Sequence, residues 1–266
     1  MLQLLHTYFP QKSLQSQIAM YHLSYLGLDH GQSDTFMLPE GIIEIVFQLE
    51  AEVLQNASYT HSWERRPQAF VGGLHNRAYR MKAKKAGKMF SVRFYPGAFA
   101  AFAPIPLQHL KNQMVSLELI WGKSGRDLET QVLECPNDAG RIQILEDFLL
   151  KKRAGLPYAS ILGAVAAIEQ DQPFTSIQDL ARQFGYSLSR FRQLFNEVIG
   201  ISPKEYLIVR RMNKALRYQS QTDTLTQLSY ELGYHDQSHF IRECKKMTGL
   251  SPGKFLEDPR VFRLPG

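Results

Sequence analysis

Ser189, Arg192, Gln193 and Asn196 fall at i, i+3, i+4 and i+7, and each can hydrogen-bond to a nucleic-acid base edge or a phosphate. Phe191, Leu194, Phe195 and Val198 fall on the opposite side of the same stretch. It therefore reads as one helix with a polar face and an apolar face. Further along the chain the arrangement returns, with Phe240, Cys244 and Met247 inward and Gln237, Ser238, Ile241, Arg242 and Lys245 outward. From Arg182 to Arg217, eight basic residues (Arg182, Arg190, Arg192, Lys204, Arg210, Arg211, Lys214, Arg217) stand against Glu197 and Glu205, a local net of +6. That is the footprint expected of a surface that meets a polyanion. A basic helical bundle with solvated faces would carry the same charge. The duplication in register is what favours the polyanion.

The elements that must hold these side chains are written twice. The first copy runs Ile177-Gln-Asp-Leu-Ala-Arg-Gln-Phe-Gly-Tyr186, then Phe191, Phe195, Gly200, Ile201-Ser-Pro203 and Tyr206. The second runs Leu225-Thr-Gln-Leu-Ser-Tyr-Glu-Leu-Gly-Tyr234, then Phe240, Cys244, Gly249, Leu250-Ser-Pro252 and Phe255. The offset is 48 residues up to the Gly-Tyr pair and 49 from Phe191/Phe240 onward. Two copies suit two equivalent modules rather than a solenoid. In the first copy Ser176 is placed to cap a helix whose apolar stripe is Ile177, Leu180, Ala181 and Phe184. Gly185 stops that helix, Gly200 stops the next, and Ser202-Pro203 starts a third. Two short helices around a glycine turn form the helix-turn-helix, whose second helix can enter a major groove.

With those residues in place, the stretch from about Tyr158 to Pro259 resembles the AraC/XylS family of bacterial transcription regulators. The resemblance rests on Leu180-Ala181, Phe184-Gly185-Tyr186-Ser187, Gly200-Ile201-Ser202-Pro203, and Arg211 with Ala215. It rests above all on Gly233-Tyr234-x-Asp236-Gln237-Ser238-His239-Phe240-x-Arg242 with Gly249-x-Ser251-Pro252. It implies a DNA-binding regulator of promoters with seven helices in its C-terminal domain. Base reading would fall to Ser189, Arg192 and Gln193 in the first unit and to Gln237, Ser238, Ile241 and Arg242 in the second. Phosphate contacts would fall to Arg190, Asn196, Arg210, Lys214, His239 and Lys245. Gln193 stands where many members carry Arg, which points to adenine rather than guanine. Cys244 stands where the second copy usually has Phe, which leaves a smaller core residue.

The implied organisation is an N-terminal sensor or dimerisation domain over 1–151, a linker over 152–157 and the DNA-binding domain over 158–266. Within the last, the first helix-turn-helix spans about 177–200, a linker helix about 203–218 and the second unit about 225–249. About sixteen residues at 1.5 Å each make the linker helix ~24 Å long. Successive major grooves on one face lie about 34 Å apart, so a monomer could address two adjacent half-sites. Arg210, Arg211, Lys214 and Arg217 on that helix either meet phosphates or solvate it, and Arg211 could equally tie the two units together.

The whole chain of 266 residues carries a net charge of +6, divided as 17 basic minus 14 acidic residues before Gly155 and 14 minus 11 after it. Global charge therefore does not distinguish the two halves; local clustering does. Cys135 and Cys244 form no paired spacing, which fits a reducing compartment and argues against a cysteine zinc site. Neither a secretory leader nor an 18-residue apolar run is present, and a cytoplasmic location is expected.

The N-terminal half reads as strands followed by helices, hence α+β, ahead of an all-α C-terminal domain. Strands are expected at Ile18–Tyr25, Ile42–Leu49 and Ala69–Gly73, with a loop over Gln55–Pro67. Tyr79–Lys84 and Met89–Tyr95 are expected to pair as a hairpin around Lys85-Ala-Gly87-Lys88. Helices are expected at 98–102, 107–111, 117–121, 125–133 and 137–151. Phe70-Val-Gly-Gly-Leu-His75-Asn-Arg77, with Val92–Gly97 and Leu119–Gly122, resembles an uncharacterised N-terminal domain found on some AraC/XylS regulators. Candidate ligand contacts are Glu44, His75, Arg77, Arg93 and Trp121, each weighed against a structural role. No metal, cofactor or catalytic residue is assigned, since no HExxH, GxSxG, Walker loop or GxGxxG is found. The partner expected is double-stranded promoter DNA. RNA polymerase, a small-molecule effector and a second copy of the chain remain open, and no membrane is expected. The alternative is an enzymatic, alkyl-transfer-like N-terminal domain, which would need a reactive cysteine. Cys135 lies beside Glu134, which disfavours a thiolate.

Overall fold

Alternating apolar residues in the first third form strands, and the 3.6-residue period takes over after Gly97. The computed structural model describes residues 2–28, 34–57, 62–155, 159–171, 176–218 and 224–261. The strands are β1 (Leu2–Tyr8), β2 (Ile18–Leu26), β3 (Thr35–Met37), β4 (Glu44–Gln48), β5 (Glu52–Ala57), β6 (Glu64–Arg65), β7 (Ala69–Gly72), β8 (Tyr79–Lys85), β9 (Gly87–Phe94) and β10 (Met114–Ser116). The helices are α1 (Leu117–Trp121), α2 (Lys123–Glu134), α3 (Asp138–Lys152), α4 (Ala159–Glu169), α5 (Ile177–Gln183), α6 (Leu188–Ile199), α7 (Pro203–Tyr218), α8 (Leu225–Glu231), α9 (Gln237–Thr248) and α10 (Pro252–Glu257). Ala98–Ala101 and Leu107–Leu110 are 3-10 turns.

One sheet has the order β1-β2-β9-β4-β7-β10 and the other β3-β8-β5-β6. The strand period of two divides the larger sheet by face. Tyr21, Ile45, Phe47, Phe90, Val92 and Phe94 are buried with residues of α1–α3 in one apolar cluster. Tyr21 also donates from its hydroxyl to Glu146 on α3, 3.2 Å away. On the other face Glu44, Val46, Met89, Ser91 and Arg93 line a cavity between the sheets.

Two sequence expectations need correction here, and one strand was missed. β8 and β9 do not form a hairpin: β8 pairs with β3 and β5 in one sheet, and β9 pairs with β2 and β4 in the other. Only Ala86 separates them. One residue is too short for a two-residue hairpin turn, so the chain turns a corner between sheets instead. A Cβ on Gly87 would lie 2.6 Å from the backbone of Glu50 and Ala51, so only glycine fits at that corner. The expected loop over Gln55–Pro67 contains the end of β5 and all of β6, joined at Gln55↔Glu64. β1, unread in the sequence, pairs with β2 along its length despite a bulge between Leu4 and His6.

The two halves share a continuous apolar core. A Cβ on Gly97 would come within 2.6 Å of Leu162 and 2.7 Å of Ile199, and the Phe36 and Phe255 rings lie 6.1 Å apart. The start of the expected linker is pinned: Ala154 donates to Ala101 O at 2.7 Å and Arg153 to Ser13 O at 2.9 Å. Residues 156 and 157 of that linker lie outside the described residues. Among the described residues no helix is long and apolar enough to cross a membrane.

Candidate nucleic-acid interface

The two copies fold alike, cap by cap. Ser176 accepts from Asp179 N at 3.1 Å to start α5, and Thr224 accepts from Gln227 N at 3.1 Å to start α8. Gly185 (φ 79°) and Gly233 (φ 76°) make the turns in the left-handed region that glycine tolerates. Ser187 caps α6 through Arg190 N at 3.3 Å, and Asp236 caps α9 through His239 N at 2.8 Å. Gly200 and Gly249 end these helices, both left-handed. Phe191, Leu194, Phe195 and Val198 are buried in the first unit, and Phe240, Cys244 and Met247 in the second. The seven helices implied for this half, α4 to α10, are all present among the described residues.

Ser189, Arg190, Arg192 and Gln193 are exposed on α6, and Asn196 is half-buried. Arg190 donates to Gln193 Oε1 at 3.0 Å, and Gln193 donates to Glu197 Oε1 at 3.0 Å. On α9, Ser238, Arg242 and Lys245 are exposed, while Gln237 and Ile241 are half-buried. Gln237 Oε1 accepts from Thr226 Oγ1 at 3.1 Å.

The linker helix α7 uses most of its charge internally. Arg210 meets Glu169 at 2.7 Å and Lys214 meets Asp171 at 2.8 Å, both on the α4 side. To reach a phosphate, each must first leave its carboxylate. Arg211 lies 4.8 Å over the Tyr234 ring and 4.0 Å from Glu243, so it joins α7 to the second unit. Arg217 is exposed.

Glu243 was missed in the sequence. It is buried, accepts from Tyr234 Oη at 2.7 Å and meets His239 Nε2 at 3.1 Å. His239, expected at a phosphate, instead leans along its own helix toward Glu243, edge-on to Tyr234. Burial and then the Glu243 hydrogen bond push the Tyr234 pKa up, so the phenol stays a donor. The repeat held the signal: with the 49-residue offset, Glu243 aligns with buried Leu194, a charge at an apolar position.

A second node ties the helical C-terminal half to the strands. Ser202 and Glu205 form a capping box at the start of α7, with Ser202 N to Glu205 Oε2 at 2.9 Å and Glu205 N to Ser202 Oγ at 3.3 Å. Glu205 Oε1 also accepts from Lys111 at 2.8 Å and Asn76 at 2.5 Å. Burial alone would raise the Glu205 pKa, but hydrogen bonds from Lys111, Ser202 and Asn76 outweigh it and bring it to about 2 from 4.5. A depressed folded pKa contributes stability that is full above the unfolded value and is lost as pH falls from about 4.5 toward about 2. The carboxylate is partly exposed, so screening reduces the contribution to about 1–2 kcal/mol. Thermal melts across that window are expected to fall more steeply for the native chain than for Glu205→Gln. Parallel slopes would remove this role.

Of the candidate ligand residues, Glu44, His75 and Arg93 line the cavity between the sheets. Arg77 and Trp121 do not. Arg77 is exposed, and Trp121 is buried edge-on to Phe99 and Phe148 with Nε1 donating to Phe102 O at 2.9 Å. An indole buried between two rings, with its N–H spent on a backbone carbonyl, has no polar group left for a ligand. Glu40, Arg66 and Tyr79 line the cavity and were not foreseen.

Two helix-turn-helix units, alike in their caps, on either side of one linker helix and with polar faces outward, define a DNA-binding module of the double helix-turn-helix class. Residues 180–258 match a helix-turn-helix domain family, and residues 6–116 match a domain of unknown function (DUF6597). The C-terminal domain is of the AraC/XylS type. It is 29% identical over 79 residues to the HTH-type transcriptional regulator ExsA of Pseudomonas aeruginosa, covering 29% of this chain and 28% of that one. It is likewise 29% identical over 79 residues to the virulence regulon transcriptional activator VirF of Yersinia enterocolitica, covering 29% of each. The chain thus spans about three tenths of the length of these relatives. Among solved structures, apo ToxT from Vibrio cholerae aligns over 89% of this chain and 96% of that one, at 10% identity and a TM-score of 0.46.

Proposed function

We propose that this chain is a sequence-specific regulator of transcription that binds promoter DNA through both helix-turn-helix units, under control of its N-terminal domain. The observation that carries this reading is the duplicated unit, with Arg192 and Gln193 exposed on α6 and Ser238 and Arg242 on α9. Base edges are read by Ser189, Arg192 and Gln193, and by Gln237, Ser238, Ile241 and Arg242. Arg190, Asn196 and Lys245 are placed for phosphates. With the 49-residue offset, Arg192 aligns with Ile241 and Gln193 with Arg242. The arginine therefore sits one residue, about 100° of helix, further along in the second unit. The two half-sites differ in sequence, and the whole site is not a palindrome. RNA polymerase, a second copy of the chain and a cytoplasmic setting fit this role, which needs no enzymatic step. The alkyl-transfer alternative gains nothing from Cys244, whose thiol burial pushes up to about 11.

The test is DNA binding by Arg192→Ala and Arg242→Ala against a promoter site altered one base pair at a time. Each variant is expected to lose about 1–3 kcal/mol, with discrimination relaxed at one position only and at different half-sites for the two. Uniform weakening over all sequences would move these residues to phosphates and overturn the base-reading assignment.

A further inference from the structure

The space between the two sheets holds two adjoining cavities of about 90 and 100 Å³, with Met37, Glu40, Glu44, Val46, Arg66 and Tyr79 lining both. Two carboxylates, Glu40 and Glu44, and two guanidiniums, Arg66 and Arg93, line them, but the pairing is uneven. Arg93 is fully engaged, paired with Glu40 and at 3.1 Å with Glu44. Arg66 forms no direct ion pair among the described residues, although the Glu44 charge acts on it. Its Nε donates to Gln55 Oε1 at 3.0 Å, and its guanidinium lies 5.5 Å from the Phe70 ring centre and 5.3 Å from that of Tyr79. Its Nη2 is buried and has no hydrogen-bond partner among the described residues, and the same holds for Nε2 of His75. Both side chains line the first cavity. Burial, followed by the charge of Arg66, lowers the His75 pKa to about 4, so the ring is neutral at pH 7 and offers one N–H. A buried guanidinium nitrogen without an acceptor is costly, as is a buried ring nitrogen without a partner, and with the His75 proton on Nε2 one anionic acceptor satisfies both.

We propose that this cavity binds a small organic carboxylate, its oxygens accepting from Arg66 Nη2 and His75 Nε2 and its apolar remainder lying against Met37, Val46 and Phe70. A charge-assisted hydrogen bond from the guanidinium favours a carboxylate over a neutral acceptor. The volumes admit only a molecule of a few non-hydrogen atoms in each lobe. The cavity walls are also the segments that touch the other half. Leu38, Pro39 and Glu40 line the cavity. In the same segment Phe36 N donates to Arg260 O at 2.8 Å, Pro39 O accepts from Asn213 at 2.7 Å, and Gly41 sits against Tyr206 of α7. His75 and Tyr79 line the other wall, where Asn76 bonds to Glu205 and Ala78 N donates to Met247 O of α9 at 2.9 Å. An occupant that moves either wall moves a contact on α7 or α9, so the bound carboxylate alters DNA affinity. That last step rests on the DNA-binding reading; the site itself does not.

The experiment is calorimetric titration of the full chain with benzoate and benzamide, hexanoate and hexanamide, and inorganic phosphate. At least one acid is expected to bind about tenfold or more tighter than its amide, from the charge-assisted hydrogen bonds. Arg66→Met is expected to erase that difference and His75→Phe to reduce it. Equal binding of acid and amide, absence of binding by every probe, phosphate binding as tightly as the acids, or full acid binding by Arg66→Met would overturn the site. If Arg66→Met does not fold, the acid–amide comparison on the native chain decides alone. DNA binding by the native chain without probe is measured separately. Its absence would remove the regulator reading and leave the titration result standing.

Discussion

Phe195→Ala is expected to cost about 3–5 kcal/mol of stability, the largest effect of any single side chain considered. The ring is fully buried, 5.6 Å from Phe191 and 5.7 Å edge-on from Tyr206. Tyr206 in turn donates to Glu169 at 2.7 Å and lies against Gly41. Removing the ring therefore opens a cavity where α6, α7 and α4 meet and where the strands lean on the linker helix. Urea unfolding would show a lower midpoint with an unchanged slope. Cys244→Ala at the equivalent position of the second unit removes one sulfur and is expected to cost only about 1 kcal/mol. A Phe195→Ala loss as small as that of Cys244→Ala would contradict the packing described.

The second large effect is expected at Glu243. Glu243→Ala strands the buried Tyr234 hydroxyl, frees His239 and leaves Arg211 with the Tyr234 ring alone. A hydrogen bond to a charged group contributes about 1.5–3 kcal/mol, and the 4.0 Å Arg211 contact adds little because Arg211 is partly exposed. The expected loss is about 2–3 kcal/mol, with faster amide exchange in α8 and α9. Glu243→Gln keeps an acceptor for Tyr234 and should recover part of the loss. Glu243→Leu, which copies Leu194 of the first unit, should not, because the phenol would still be buried without an acceptor. Native-like stability in Glu243→Leu would show that Glu243 is dispensable to the second unit.

The double helix-turn-helix was legible because its signals are local. Ser176 and Thr224, Gly185 and Gly233, and the Phe191 and Phe240 stripes each act within one or two helical turns, and repetition removed the remaining ambiguity. The sheets were harder. Residues 79–94 carry two good strands with turn residues between them, but which strand each one pairs with is decided by neighbours far away in sequence. β1 and β3 are paired through partners that no periodicity names.

The amino-acid sequence by itself therefore determined the class of the C-terminal half, the polar face that the second helix of each unit turns outward, and the order of strands before helices. Apolar spacing and capping chemistry act over a few residues and need no partner from elsewhere. Only the tertiary structure decided what each charge does. Arg93 meets Glu40 across 53 residues, and Arg210 and Arg211 turn inward while Arg242 stays exposed. Arg66 Nη2 and His75 Nε2 line a cavity with no hydrogen-bond partner among the described residues. Pairing and desolvation depend on distances in space, and those exist only once the two sheets and the helices have closed on one another.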